Sequence, residues 1–145
     1  MTRNPYLRAE PPVAPPTGIR ALDRAECWRL LESAEVARLA VVDEQGADIF
    51  PINYLVNDGS LFFRSAPGTK IVSLTEHPSV AVEIDGADER ERWSVVVRGE
   101  AHRLDDDTLI GESGVQGLQT MTSSDKWNYF EIVPRTVTGI RFRRG

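Results

Sequence analysis

Cysteine occurs once in the 145-residue chain, as Cys27, which excludes an internal disulfide and leaves no thiol pair for a zinc site. Histidine occurs only at His77 and His102, and neither has a partner at metal-ligand spacing, so no metal site is readable. Lysine is almost as scarce, with Lys70 and Lys126 alone. A formal net charge of -5 and a pI of about 5.1, with basic residues forming no stripe, argue against a general nucleic-acid binder. No early stretch has the apolar run of a signal peptide or a membrane span, and there are no repeats or coiled-coil heptads. The expectation is a soluble cytoplasmic protein with no membrane or nucleic-acid partner. At 16.2 kDa the chain has room for one domain with a real core.

Five of the nine prolines fall in residues 1–18, at Pro5, Pro11, Pro12, Pro15 and Pro16. That segment reads as an arm or strap, and residues 19–145 as the single domain. A helix is predicted from about Arg24 to Ser33. Asp23 is its N-cap, Glu26 stands at capping-box spacing, and Leu22 and Cys27 occupy the staple positions. Cys27, Trp28, Leu30 and Leu31 give that helix an apolar stripe, so Cys27 reads as a small buried hydrophobe and carries no assigned chemistry.

The remainder is rich in strand patterns. Val36 to Val42 is a short apolar run closed by Asp43-Glu44-Gln45-Gly46. Asp48 to Val56 and Leu61 to Ser65 are two further runs, and Asn57-Asp58-Gly59-Ser60 between them supplies a tight turn, so the two are expected to pair antiparallel. Ser79 to Asp85 alternates, Gly86 to Arg92 reads as a charged loop, and Trp93 to Leu104 as a long strand in which Gly99 marks a bulge or a close backbone approach. Asp105 to Lys126 is interrupted by Gly111, Gly114 and Gly117 and predicts a partial helix with a loop. Trp127 to Val133 and Thr136 to Phe142 are expected as two strands parted by Pro134-Arg135. About seven strands and one or two helices predict a mostly β, α+β fold: an antiparallel split barrel.

Chemistry concentrates after the central turn. Ala66-Pro67-Gly68 ends the strand that carries Arg64 and Ser65, and a helical stretch is expected from Thr69 to about His77, which would cap its C-terminus. Arg64, Ser65, Thr69 and Lys70 therefore crowd a strand end and a helix start. Free N–H groups, the helix dipole and two cations suit a phosphate there. The same residues also suit a solvated arginine and lysine beside an ordinary turn. Pro51 removes a ladder donor, so Ile52, Asn53 and Tyr54 can face a flat ligand, and an edge strand blunted by proline is the other reading. Asp105-Asp106-Asp107 reads as a solvated turn or helix start. Neither Ser65 nor Ser94 lies in a nucleophile elbow, and no catalytic side chain is assigned.

The succession PINY, hairpin, FFRSAPGTK, HPSVAVEID and WSVVVRGEA resembles the pyridoxamine phosphate oxidase-like, flavin-binding split-barrel family over roughly residues 20–142. The resemblance implies a homodimer with two FMN sites at the subunit interface and an oxidoreductase acting on a small molecule. Arg64, Ser65 and Lys70, with Thr69 beside them, match the phosphate positions. Pro51, Ile52, Asn53 and Tyr54 match the strand along the isoalloxazine, Trp93 and Ser94 match the WS pair near the flavin, and Trp127 also reaches toward the site. The ending VPRTVTGIRFRRG lacks the histidine- and arginine-containing motif with which the true oxidases grip pyridoxal phosphate, so that substrate is not expected. Related split barrels use a deazaflavin coenzyme, a second enzyme reading, or bind haem, for which His77 and His102 are the axial candidates. A flavin-binding or ligand-binding module without turnover is the non-enzyme alternative.

Overall fold

A computed structural model describes residues 18–66, 74–118 and 127–144. The proline-rich arm and the residues Thr69 and Lys70 lie outside the described set. Eight strands and two α-helices follow one another: β1 Ile19–Ala21, α1 Arg24–Ser33, β2 Val36–Asp43, β3 Gly46–Asn53, β4 Leu55–Asn57, β5 Ser60–Ser65, β6 Ser79–Ala87, β7 Glu91–Arg103, α2 Asp107–Ser113 and β8 Asn128–Arg143. The strands form one antiparallel sheet in the order β3-β2-β6-β7-β8-β5-β4, with β1 added to β8. The split-barrel, α+β expectation is met.

Helix α1 begins where its capping sequence places it. The Asp23 carboxylate accepts a hydrogen bond from the Glu26 N–H, which satisfies one of the donors every helix start leaves open. The Glu26 carboxylate pairs with Arg20. Cys27 and Leu31 are fully buried against the sheet, with Trp28 and Leu30 partly buried beside them. The helix can come this close because Gly139 on β8 has no side chain: a Cβ there would stand 2.9 Å from the Cys27 sulfur. Burial and the neighbouring Asp23 and Glu26 push the Cys27 thiol up, consistent with a packing role. Around it, Leu39, Val82, Ile84, Val95, Val97 and Ile132 fill the barrel interior. Phe63 and Phe130, partners across β5 and β8, stack with ring centroids 5.1 Å apart.

Three expectations are corrected. The run from Asp48 to Val56 is not one strand: β3 ends at Asn53 and pairs with β2, whereas only Leu55–Asn57 pairs with β5. The chain turns at Tyr54 from one edge of the sheet to the other, because the Tyr54 N–H is committed to the Glu35 carbonyl at 3.1 Å. The two closing strands are a single strand, β8, of 16 residues. Pro134 does not break it because the ladder shifts there: Gly99 pairs with Pro134 and Arg98 with Thr136, a bulge that absorbs Arg135. The charged loop shrinks to residues 88–90, since Gly86 and Ala87 pair with Trp93 and Arg92, and the Asp88 carboxylate closes the turn by accepting from the Arg90 and Glu91 N–H groups.

Gly99, expected to mark a bulge or a close approach, is both, since the register shifts there and a Cβ would overlap the Val133 carbonyl. The Asp105–Lys126 stretch holds α2, started by Asp106 accepting from the Thr108 and Leu109 N–H groups, then Gly114 in the left-handed region and a 3-10 turn at Val115–Gly117. Residues 119–126 lie outside the described set. Of the helix expected from Thr69 to His77, only the end is described, with Leu74 buried.

These contacts predict opposite outcomes at two glycines. Gly99→Ala should destabilise the fold by about 1–3 kcal/mol, since the new methyl meets backbone that cannot move aside. Gly111→Ala, inside α2 with open space around it, should be neutral or stabilising by up to about 1 kcal/mol. Urea unfolding midpoints of the two variants would check both.

Candidate binding cleft

The crossing at Tyr54 leaves a seam, and a cleft of about 270 Å³ opens at it, lined by Glu35, Asn53, Tyr54, Gly117 and Leu118. Three separate parts of the chain build it. Glu35 follows the C-terminus of α1, Asn53 and Tyr54 are the crossing itself, and Gly117-Leu118 close the 3-10 turn after α2. Tyr54 is buried, and its hydroxyl donates to the Leu31 carbonyl in the last turn of α1. The phenol is thus an anchor between helix and crossing rather than a group turned to a ligand. Burial raises its pKa well above the ordinary tyrosine range.

Arg64 lies next to this cleft through Leu118. One of its terminal nitrogens donates to the Leu118 carbonyl, and the guanidinium carbon sits 4.3 Å over the centre of the Trp127 ring. Its Nε is buried and finds no hydrogen-bond partner among the described residues. Trp127 immediately precedes β8, whose Asn128 and Tyr129 pair with Ser65 and Arg64, so the register itself folds the indole over the arginine. Ser65 is buried at the end of β5.

The structure therefore brings Asn53, Tyr54, Arg64, Ser65 and Trp127 to one region. Of the remaining candidates, those among the described residues are not brought there. Ile52 points into the core opposite Ala37, and Pro51 is exposed beside Arg38 on the outer face. Trp93 lies across Gly86, where any Cβ would overlap the indole, and Ser94 pairs with Asp85 and Ile140. From Trp93 to Arg103, whose partner Phe130 adjoins Tyr129, the chain runs the length of β7, on the order of 30 Å of strand. Glu35, Gly117 and Leu118 escaped the sequence reading. The first looks like any helix-end carboxylate, and the other two fall where glycines erase the periodicity.

The histidines stand elsewhere. His102 lies 3.5 Å from Glu100 on the exposed side of β7, and His77 lies 3.6 Å from Glu44. Neither lines the cleft. Glu44, Glu76 and His77 do gather ligand atoms within 4.8 Å of one another, a cluster of mostly exposed groups that the spacing did not reveal because Glu44 comes from a distant hairpin. None of the described helices is long and apolar enough to cross a membrane.

Residues 23–141 match the family model described as pyridoxamine 5'-phosphate oxidase. The chain is similar to the FAD binding protein of Mycobacterium smegmatis at 35% identity and a TM-score of 0.75, over 87% of this chain and 100% of that one. It is also similar to an FAD-binding protein from Mesorhizobium loti, with 26% identity and a TM-score of 0.73 over 85% of this chain and 97% of that one. Among curated proteins, the uncharacterised protein Rv0080 of Mycobacterium tuberculosis is 32% identical over 127 residues, 83% of each chain.

Tyr54→Phe should cost about 1–3 kcal/mol, because it strands the buried Leu31 carbonyl. The sign of the pH effect follows from the raised pKa. A phenol that stays protonated in the folded state but ionises in the unfolded one stabilises the fold below about pH 10, and that contribution is lost as pH rises beyond it. Melting temperatures from pH 8 to 11 should therefore fall more steeply for the parent than for Tyr54→Phe.

Proposed function

The chain belongs to the pyridoxamine 5'-phosphate oxidase family, and from that premise we propose that it binds the flavin FMN at the seam cleft and uses it for oxidoreduction of a small molecule. The observation that carries the reading is Arg64, a half-buried cation beside the cleft whose Nε–H lacks an acceptor among the described residues. A buried donor of this kind is costly unless something accepts from it, and a phosphate oxygen is the strongest acceptor available to a guanidinium. The resemblance adds Ser65, Thr69 and Lys70 to the phosphate set. A bound flavin would supply the hydride or electron transfer, and the protein's share is binding, orientation and exclusion of water. The neighbours from Mycobacterium smegmatis and Mesorhizobium loti named as FAD-binding support a flavin and make FAD the alternative nucleotide. A deazaflavin coenzyme is disfavoured, because its acidic tail would pass a cleft that Glu35 lines. Oxidation of a vitamin B6 phosphate is not proposed.

The working form we propose is a homodimer in the cytoplasm, where a lone reduced cysteine is at home. At about 270 Å³ the cleft falls just short of the usual ligand-pocket range of about 300–1,000 Å³, so a second wall is needed to enclose a flavin. A surface suited to pairing exists on the outer side of β3, β2 and β6. Val36, Val42 and Ile49 are exposed there, and charged groups among them pair with one another, Arg38 with Glu83 at 3.2 Å and with Asp85 at 2.8 Å. A second copy would also deliver Trp93 and Ser94 to a flavin that they do not reach within one chain.

The absorption spectrum of the purified protein, and of the supernatant after denaturation, should show a released flavin. Apo-protein should bind FMN more tightly than riboflavin and than the deazaflavin coenzyme, and Arg64→Ala should weaken FMN by about one to two decades with the melt unchanged, the worth of about 1.5–3 kcal/mol of charge-assisted bonding. Equal FMN affinity in parent and Arg64→Ala would defeat the phosphate assignment. Light scattering should report a dimer at micromolar concentration, and Ile49→Arg should shift it toward monomer. Steady oxidation of a reduced nicotinamide would favour an enzyme over a binding module.

A further inference from the structure

We propose that Trp127 is a positioning residue for anion recognition: its indole holds the Arg64 guanidinium over its face, in a position from which the guanidinium can donate to a phosphate. The inference rests on the reading of Arg64 as the phosphate contact.

The geometry is a three-point mount. An arginine side chain has four rotatable bonds and loses much of its binding advantage if it must be ordered by the ligand itself. Here the stem is fixed by β5, where Arg64 sits opposite Tyr129. The guanidinium carbon is held over Trp127, 4.3 Å from the ring centre, a separation at which the ring's negative face attracts the cation. A further anchor is the Leu118 carbonyl, which accepts from one terminal nitrogen. With those three in place, Nε is a buried donor without a partner among the described residues. A neutral carbonyl and an aromatic face orient the cation without cancelling its charge, as a carboxylate partner would. The full positive charge therefore remains for an incoming anion.

Trp127 is suited to this because of where the register puts it. It stands one residue before β8 pairs with Ser65, so its backbone is tied to the same strand end as the arginine it supports. Indole is also the best of the aromatic faces for a cation, which predicts a graded response to substitution.

The test is the ratio of FMN to riboflavin affinity, since the two ligands differ only in the phosphate. Apo-protein would be titrated with each, in one buffer, for the parent, Trp127→Phe, Trp127→Leu and Arg64→Ala. The expected result is that Trp127→Leu lowers the ratio by about threefold to thirtyfold, with riboflavin affinity and melting temperature near the parent's. Trp127→Phe should retain most of the ratio. A merely structural role would weaken both ligands together or lower the melting temperature, and would overturn the proposal. So would an unchanged ratio in Trp127→Leu when Arg64→Ala has lost it, which would leave the phosphate reading standing. If Arg64→Ala also keeps the parent ratio, the phosphate reading itself fails and the proposal falls with it. Should Trp127→Leu not fold, Trp127→Phe decides alone: a loss of the ratio as large as that of Arg64→Ala, or none at all, contradicts a graded aromatic support.

Discussion

Closure of the sheet at Tyr54 is the constraint on which the rest depends. Strands β3 and β4 lie at opposite ends of the strand order, yet one residue separates them in the chain. The sheet must therefore curl until its two edges meet, and the residue at the meeting point must be held on both sides. Tyr54 is held by its N–H on the Glu35 carbonyl and by its hydroxyl on the Leu31 carbonyl, so the end of α1 serves as the clasp. The same clasp explains why α1 packs so tightly. Gly139 admits Cys27, and the helix end then reaches the seam at the right height.

A seam of this kind is also a natural place for a ligand. Neither edge is fully paired there, so backbone groups and short side chains from several elements converge without filling the space between them. Arg64 stands next to it, held by the Leu118 carbonyl and the Trp127 ring, with its Nε–H unmet among the described residues. Packing thus accounts for the position of the cation, and the unmet Nε–H is what gives that position a chemical meaning.

Local signals in the chain were legible wherever one interaction decides one boundary. Asp23 as N-cap, the turn at Asn57 to Ser60, the bulge at Gly99 and the helix start at Asp106 all lie where their residues place them, because caps, turns and close approaches are contacts made within a few residues or at a missing side chain. The errors came where pairing partners are remote. A run of β-branched and aromatic residues through Tyr54 carries no mark of the change of edge, and Pro134 reads as a break unless the bulge opposite it is known. Strand β1 is too short and too exposed to announce itself.

What the sequence by itself determined is the inventory: an α+β fold, its antiparallel strands, the capped first helix, a lone packing cysteine, and a polar cluster that begins at Arg64 and Ser65. Only the tertiary structure decided which of those residues share a site. It set Trp127 beside Arg64, joined that arginine through Leu118 to the cleft that Glu35, Asn53 and Tyr54 line, and sent Ile52 to the core and Trp93 to the far part of β7. The reason is physical. Strand identity is a property of a few neighbouring side chains, whereas a site at a barrel seam exists only once the register of every strand between the two edges has been set.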